Sequence, residues 1–183
     1  MISRFMFCKK LQMIEKEMFY INQGVCCFTG HRSFKCSCVG CYDNNYLKLR
    51  KVIKRKIENV IKRGFHTFIS GMALGFDMMC AEIILELKKK YKHIKLIGAI
   101  PCKNQSERWA KEQKDRYKEI IKKLDGIRCI YDKYISGCMQ ERNKFMVNNS
   151  SLVIAFFNGS SGGTKNTIDY ALKQGVKVEI IKP

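Results

Sequence analysis

Short apolar runs alternate with stretches of helical spacing along most of this chain, and that alternation constrains the fold more than any other feature. The apolar runs are Val25 to Thr29, residues 66–70, 94–100, 127–131, 152–157 and 176–181. Between them lie residues 45–63, 76–90, 106–124, 138–148 and 163–174, where apolar positions recur every three or four residues. In residues 45–63 these positions are Leu49, Val52, Ile53, Ile57, Val60 and Ile61, one stripe of a helix. Gly64 follows where a helix C-terminus places a glycine. Leu152 to Phe157 is apolar throughout, as in a strand buried on both faces. Strands of that kind, each linked to the next through a helix, predict an α/β, Rossmann-like three-layer fold. Its sheet is mostly parallel, with helices on both faces and right-handed crossovers.

No linker or internal repeat interrupts the pattern, so residues 24–183 are read as a single domain, preceded by a basic-apolar lead over 1–23. At 183 residues the chain is long enough to bury a sizeable core. No apolar run approaches the ~18 residues that a membrane span requires. Glu15 and Glu17 break the lead, so neither a signal peptide nor an anchor is expected. A cytoplasmic protein with reduced thiols is the corresponding expectation. Six of the ten cysteines lie in or beside apolar segments, where Cys acts as a small hydrophobe.

Thirty-five Lys and Arg against sixteen Asp and Glu leave a net charge of +19. A field of that size attracts phosphates whatever its origin. Its densest cluster is Lys48, Arg50, Lys51, Lys54, Arg55, Lys56, Lys62 and Arg63. Such a run is either a solvated helix face or a single-stranded nucleic-acid surface. Abundant Lys, Ile and Asn with scarce Pro is also what AT-rich coding yields.

Parallel sheets bind ligands at the carboxyl ends of their strands, so chemistry is sought just after each strand. Gly30-His31-Arg32 follows the first, with a glycine for close backbone approach and an arginine fork suited to phosphate. Ser70, Gly71, Gly75 and Asp77 follow the second. There a small loop opens a helix and offers backbone N–H groups to an anion, with Asp77 as a helix-stabilising acid or a ribose acceptor. Glu82 lies one turn on, facing either solvent or the same cleft. Ser106 after the third strand is a helix N-cap candidate. Trp109, the only tryptophan, is either a core-edge residue or a stacking surface for a base. The strongest segment is Asn158 to Thr164, where Gly162, Gly163 and Thr164 open a helix after a buried strand, as in a phosphate cradle. It is not a P-loop, because the Gly-Lys-Ser/Thr ending is missing.

Cys36, Cys38 and Cys41 form a tight trio. A structural zinc usually takes four ligands, and His31 or Cys8 would have to supply the fourth. The reading adopted is an inert loop without a resident metal or other cofactor. The histidines are scattered, and no catalytic triad can be assembled from them.

Five ordered blocks, CCFTGHR, FISGMALGFDMMCAEI, AIPCKNQSERW, GCMQERNKFMV and VIAFFNGSSGGT, resemble the YpsA-like family of the SLOG superfamily. That superfamily also holds the DNA-processing protein A and the LOG cytokinin-activating enzymes. The resemblance covers roughly residues 24–182. It implies a Rossmann-like fold, a nucleotide-derived ligand and a homo-oligomer. It places Gly30, His31 and Arg32 in one ligand loop, Ser70, Gly71, Gly75 and Asp77 in a second, and Gly162, Gly163 and Thr164 in the phosphate loop. Gln105, Arg108, Trp109, Arg142 and Asn143 are further matched positions. The family pattern is not followed everywhere. LOG enzymes carry PGGxGTxxE, whereas here Gly159-Ser160-Ser161 stands for PGG and Thr167 for the Glu. Ser33 also stands where many relatives have proline.

Three functions follow as expectations. The first is a sensor or processing protein that binds a nucleotide or nucleotide-derived small molecule. The second is a hydrolase of an N-glycosidic bond, with Asp77 or Glu82 as its carboxylate. The third is a protein that binds single-stranded nucleic acid, like DNA-processing protein A.

Overall fold

A computed structural model describes residues 23–31 and 44–183. Six strands and five helices alternate among them: β1 (Val25–Gly30), α1 (Asn44–Lys62), β2 (Thr67–Ser70), α2 (Phe76–Leu87), β3 (Lys95–Cys102), α3 (Lys111–Ile121), β4 (Gly126–Tyr131), α4 (Cys138–Asn148), β5 (Leu152–Phe156), α5 (Gly163–Lys173) and β6 (Lys177–Ile181).

The strands form one sheet in the order β4-β3-β2-β1-β5-β6. Every pairing is parallel, including Cys27 with Ile69 on one side of β1 and Phe28 with Ile154 on the other. β5 is apolar throughout and β1 is apolar from Val25 to Phe28 because both of their faces are covered. Cys26 and Phe28 point to the face packed by α1, α2 and α3, while Cys27 and Val153 point to the face packed by α4 and α5.

The helical stripe of α1 is buried at Ile53, Ile57, Val60 and Ile61. Its end is closed by Gly64, whose φ of 94° lets its N–H reach the Ile61 carbonyl at 2.9 Å. α2 is buried on nearly every side, from Phe76 through Leu87, because it lies on the sheet with α1 and α3 flanking it. Among the described residues no helix is long and apolar enough to cross a membrane.

Several boundaries differ from the sequence reading; α2 ends at Leu87 rather than 90, and α3 at Ile121 rather than 124. β3 runs through Pro101 to Cys102 rather than stopping before the proline. The ladder accommodates it, because pairing with β4 resumes at Cys102 with Tyr131. The third helix begins at Lys111 rather than 106. Residues 103–108 form turns instead, with the Trp109 N–H on the Ser106 carbonyl at 3.1 Å, so Ser106 does not cap the helix.

Candidate functional site

The strand order places β1 between β2 and β5, so the chain leaves β1 toward one layer and β5 toward the other. A crevice opens at such a reversal, and here it is a cleft of about 260 Å³. β1 contributes Phe28, Thr29 and Gly30, His31 follows it, and the loop and helix after β2 contribute Ala73 and Asp77. α4 adds Met139, Gln140, Arg142 and Asn143, and α5 adds Gly163 and Thr164.

Gly30 is there because nothing larger fits. A Cβ at that position would meet the Phe76 ring at 2.6 Å. His31 ties the two strand exits together. Its carbonyl accepts the Phe76 N–H at 3.2 Å, and its Nε2 accepts the Asn158 N–H at 3.3 Å. The ring stacks on Phe157, with centroids 6.2 Å apart at 18°.

The loop after β2 is held from within. Ser70 is fully buried; its Oγ donates to the Asp77 carbonyl at 3.0 Å and accepts the Met72 N–H at 3.2 Å. Gly75 has φ 85° and starts α2. Asp77 Oδ2 accepts the Ala73 N–H at 3.4 Å and lies 3.9 Å from Arg142 Nη1. Both of those charged side chains are almost fully buried. Arg142 Nη1 also donates to the Gly71 carbonyl. Gly71 must therefore be glycine, since a Cβ there would strike the Arg142 guanidinium and the Asp77 carboxylate.

A chain of hydrogen bonds continues from this point. Arg142 Nε donates to Asn143 Oδ1 at 2.8 Å, and Asn143 Nδ2 donates to Thr167 Oγ1 at 2.9 Å. Thr167 Oγ1 in turn donates to the Gly163 carbonyl at 2.7 Å. The glycine loops after β2 and β5 are thus connected through α4 by side chains alone. Asn158 Oδ1 shapes the second loop by accepting the Ser160 N–H at 3.0 Å and its hydroxyl at 2.7 Å. Gly162, with φ 135°, sits at the α5 N-cap. The Asn166 N–H bonds the Gly162 carbonyl at 3.0 Å, so the N–H groups ahead of it have no helical partners, and Gly163 and Thr164 there line the cleft.

Of the residues singled out in the sequence, Gly30, His31, Asp77, Arg142, Asn143, Gly163 and Thr164 are brought together. Ser70, Gly71, Gly75 and Gly162 shape the loops behind them. Glu82 is elsewhere: Arg116 on α3 binds its carboxylate through Nε at 2.6 Å and Nη2 at 2.7 Å. Gln105 Nε2 donates to the Met72 carbonyl at 2.9 Å and so supports the loop from outside the cleft. Trp109 packs edge-on against Tyr117 at 5.3 Å, the core-edge arrangement. Arg108 is exposed and outside the lining. Arg32 and the Cys36, Cys38 and Cys41 trio lie outside the described residues. Phe28, Thr29, Ala73, Met139 and Gln140 line the cleft without having been singled out. For Met139 and Gln140 the available signal was their place in the segment after β4.

Among the described residues no cluster of three or more His, Cys, Asp or Glu could hold a metal ion. In the core under α4 and α5, burial pushes the Cys27 thiol up to about 12. On α1, Arg50 and Lys54 bind Glu86 at 3.0 and 2.5 Å. Lys56 and Arg63 bind Glu179 at 2.8 and 2.7 Å. Lys48, Lys51, Arg55 and Lys62 stand exposed along the outer side of the same segment.

The six-stranded parallel sheet, its two helical layers and the cleft at its reversal point define a Rossmann-like α/β protein. A family model described as the YspA SLOG family (YpsA) matches residues 26–181, and the chain belongs to that family. It is 38% identical over 140 residues to the "Uncharacterized SPbeta prophage-derived protein YoqJ" of Bacillus subtilis, covering 69% of this chain and 82% of that one. A UPF0398 protein of Brevibacillus brevis is 32% identical over 118 residues, covering 63% of each chain. Among solved structures, DNA processing protein A (DprA) from Streptococcus pneumoniae matches with a TM-score of 0.59 at 19% identity, over 90% of this chain and 51% of that one. DNA processing protein A from Helicobacter pylori, a structure described for its single-stranded DNA binding mode, matches with the same TM-score of 0.59 at 18% identity. That match covers 90% of this chain and 67% of the other. At such identities the two structures show the fold alone.

Proposed function

We propose that this protein binds a nucleotide or nucleotide-derived ligand at the carboxyl edge of its sheet, as a sensor or processing protein. The observation that carries this reading is the junction of two glycine loops at one cleft. The α5 N-terminus offers backbone N–H groups to a phosphate, and Asp77 stands across the cleft as an acceptor for a sugar hydroxyl. A homo-oligomer belongs to the same reading and is tested by light scattering on the purified chain.

Cleavage of an N-glycosidic bond is the enzymatic form of this proposal. It would use Asp77, the one carboxylate among the described cleft residues. Thr167, at the position of the LOG glutamate, is bonded to Asn143 and Gly163 and has no carboxylate to offer.

The test is a thermal-shift panel of nucleoside monophosphates, NAD, ADP-ribose and cyclic nucleotides at low and high salt, followed by assay for released base. A ligand at one hundred times its dissociation constant adds about 2.7 kcal/mol of stability. A salt-resistant shift with one nucleotide class supports the reading, and no shift with any overturns it. Released free base would identify the enzymatic form.

Single-stranded nucleic acid is the second reading. The exposed cations Lys48, Lys51, Arg55 and Lys62 favour it, as does the single-stranded DNA binding of the Helicobacter pylori neighbour. It requires oligonucleotide affinity that falls steeply with salt. Salt-insensitive binding, or none, counts against it.

A further inference from the structure

A second, smaller groove of about 180 Å³ runs between α4 and α5. It meets the switch-point cleft at Gly163, and Gln140 and Asn143 line both. Most of its polar side chains are already committed. Asn143 and Thr167 belong to the hydrogen-bond chain between the loops. Lys144 pairs with Glu141 at 2.8 Å, which neutralises the groove's one cation. The Tyr170 hydroxyl donates to Asn148 Oδ1 at 3.0 Å, which fixes its ring as an apolar wall.

Two carboxamides remain, Gln140 on α4 and Asn166 on α5, and both are exposed at the groove. Neither makes a side-chain hydrogen bond among the described residues. Each offers an N–H donor beside a carbonyl acceptor, the pair with which Asn and Gln read a base edge. A neutral slot with two such pairs suits a planar, uncharged, hydrogen-bonding group rather than a second phosphate.

We propose that this groove is the nucleobase subsite of the ligand whose phosphate sits at the Gly163 end, with Gln140 and Asn166 selecting the base. The inference rests on the nucleotide reading above. It assigns the ligand's direction: phosphate at the start of α5 and base between the two helices.

Calorimetric titration of ribose 5-phosphate and of AMP, GMP, CMP and UMP tests it, using wild type, Asn166→Ala, Gln140→Ala and the double variant. Both residues are on the surface, so circular dichroism should show unchanged folding. The preferred nucleotide should lose roughly tenfold in affinity per carboxamide removed, and in Asn166→Ala ribose 5-phosphate should stay within about twofold. Asn166→Ala is the cleaner single test, because Asn166 lines only the groove. Nucleotide binding unchanged in the double variant, or equal losses for nucleotide and ribose 5-phosphate in Asn166→Ala, overturns the subsite and leaves the cleft reading standing. If wild type binds neither a nucleotide nor ribose 5-phosphate, the cleft reading fails and the subsite fails with it.

Discussion

Arg142, on α4, donates through Nη1 to the carbonyl oxygen of Gly71, in the loop after β2. With only 3% of its surface exposed, this arginine is the point at which the helix layer of α4 grips the carboxyl edge of the sheet. Its guanidinium also lies 3.9 Å from the buried Asp77 carboxylate. Arg142→Ala would leave that carboxylate buried without its cation, an error that costs about 3–5 kcal/mol. Arg142→Lys should recover only part of the loss, because an ammonium cannot serve Gly71, Asn143 and Asp77 as a planar fork does. Urea unfolding of the two variants measures both.

Gly30 makes a different kind of contact with the same region. The Phe76 ring beneath it is fully buried, stacked on Phe156 at 5.7 Å and edge-on to Phe28 at 6.4 Å. It cannot retreat from a Cβ placed at 2.6 Å. Gly30→Ala should therefore destabilise by about 1–3 kcal/mol through overpacking. It should also weaken any cleft ligand, because Gly30 itself lines the cleft. Thermal unfolding and nucleotide titration separate the two effects.

Glu179 on β6 fixes the pH dependence of the opposite edge. Burial alone would raise its carboxyl, but Lys56 and Arg63 outweigh that and hold it below the usual value of 4.5. A carboxyl lowered by folding stabilises the protein above its unfolded pKa. That contribution disappears as the pH falls through the lowered folded value. Glu179→Gln should cost about 1 kcal/mol at pH 7. The difference from wild type should shrink as the solution is acidified toward pH 3. Melting temperatures across that range decide it.

The thiols of Cys26, Cys27 and Cys80 are fully buried, and burial raises each of them. The thiolate is the reactive form, so these three should resist iodoacetamide at pH 8 in the native protein and react in urea. Peptide mass spectrometry reads each cysteine separately. Labelling of Cys27 in the native state would contradict its burial in the core under α4 and α5.

The strands and helices were legible because each carries its own period. Leu152 to Phe156 is apolar at every position, and α1 repeats its apolar residues every three or four. The glycine loops were legible for the same local reason. What joins those loops was not. Arg142 and Gly71 are seventy-one residues apart, and nothing near either names the other. Thr167 looked like a lost acid when compared with LOG, yet its hydroxyl links Asn143 to Gly163. Glu82 shows the converse. Its sequence position allowed a place in the cleft, but helical rotation turns it toward Arg116 on α3. The side a helical residue faces is decided by the neighbours packed on it, and those arrive from distant sequence.

The central place of β1 also governs the order in which the protein can be assembled. One flank of β1 is matched by β2, with Cys26 opposite Phe68, soon after α1 is made. The other waits for β5, where Cys26 lies opposite Leu152. During synthesis, therefore, the innermost strand keeps an unpaired edge until β5 has left the ribosome. Distant pairings of this sort fold slowly and leave sticky intermediates. The cleft shares that timing, since its phosphate end follows β5, and a nascent chain stalled before Leu152 has half a binding site and an open sheet.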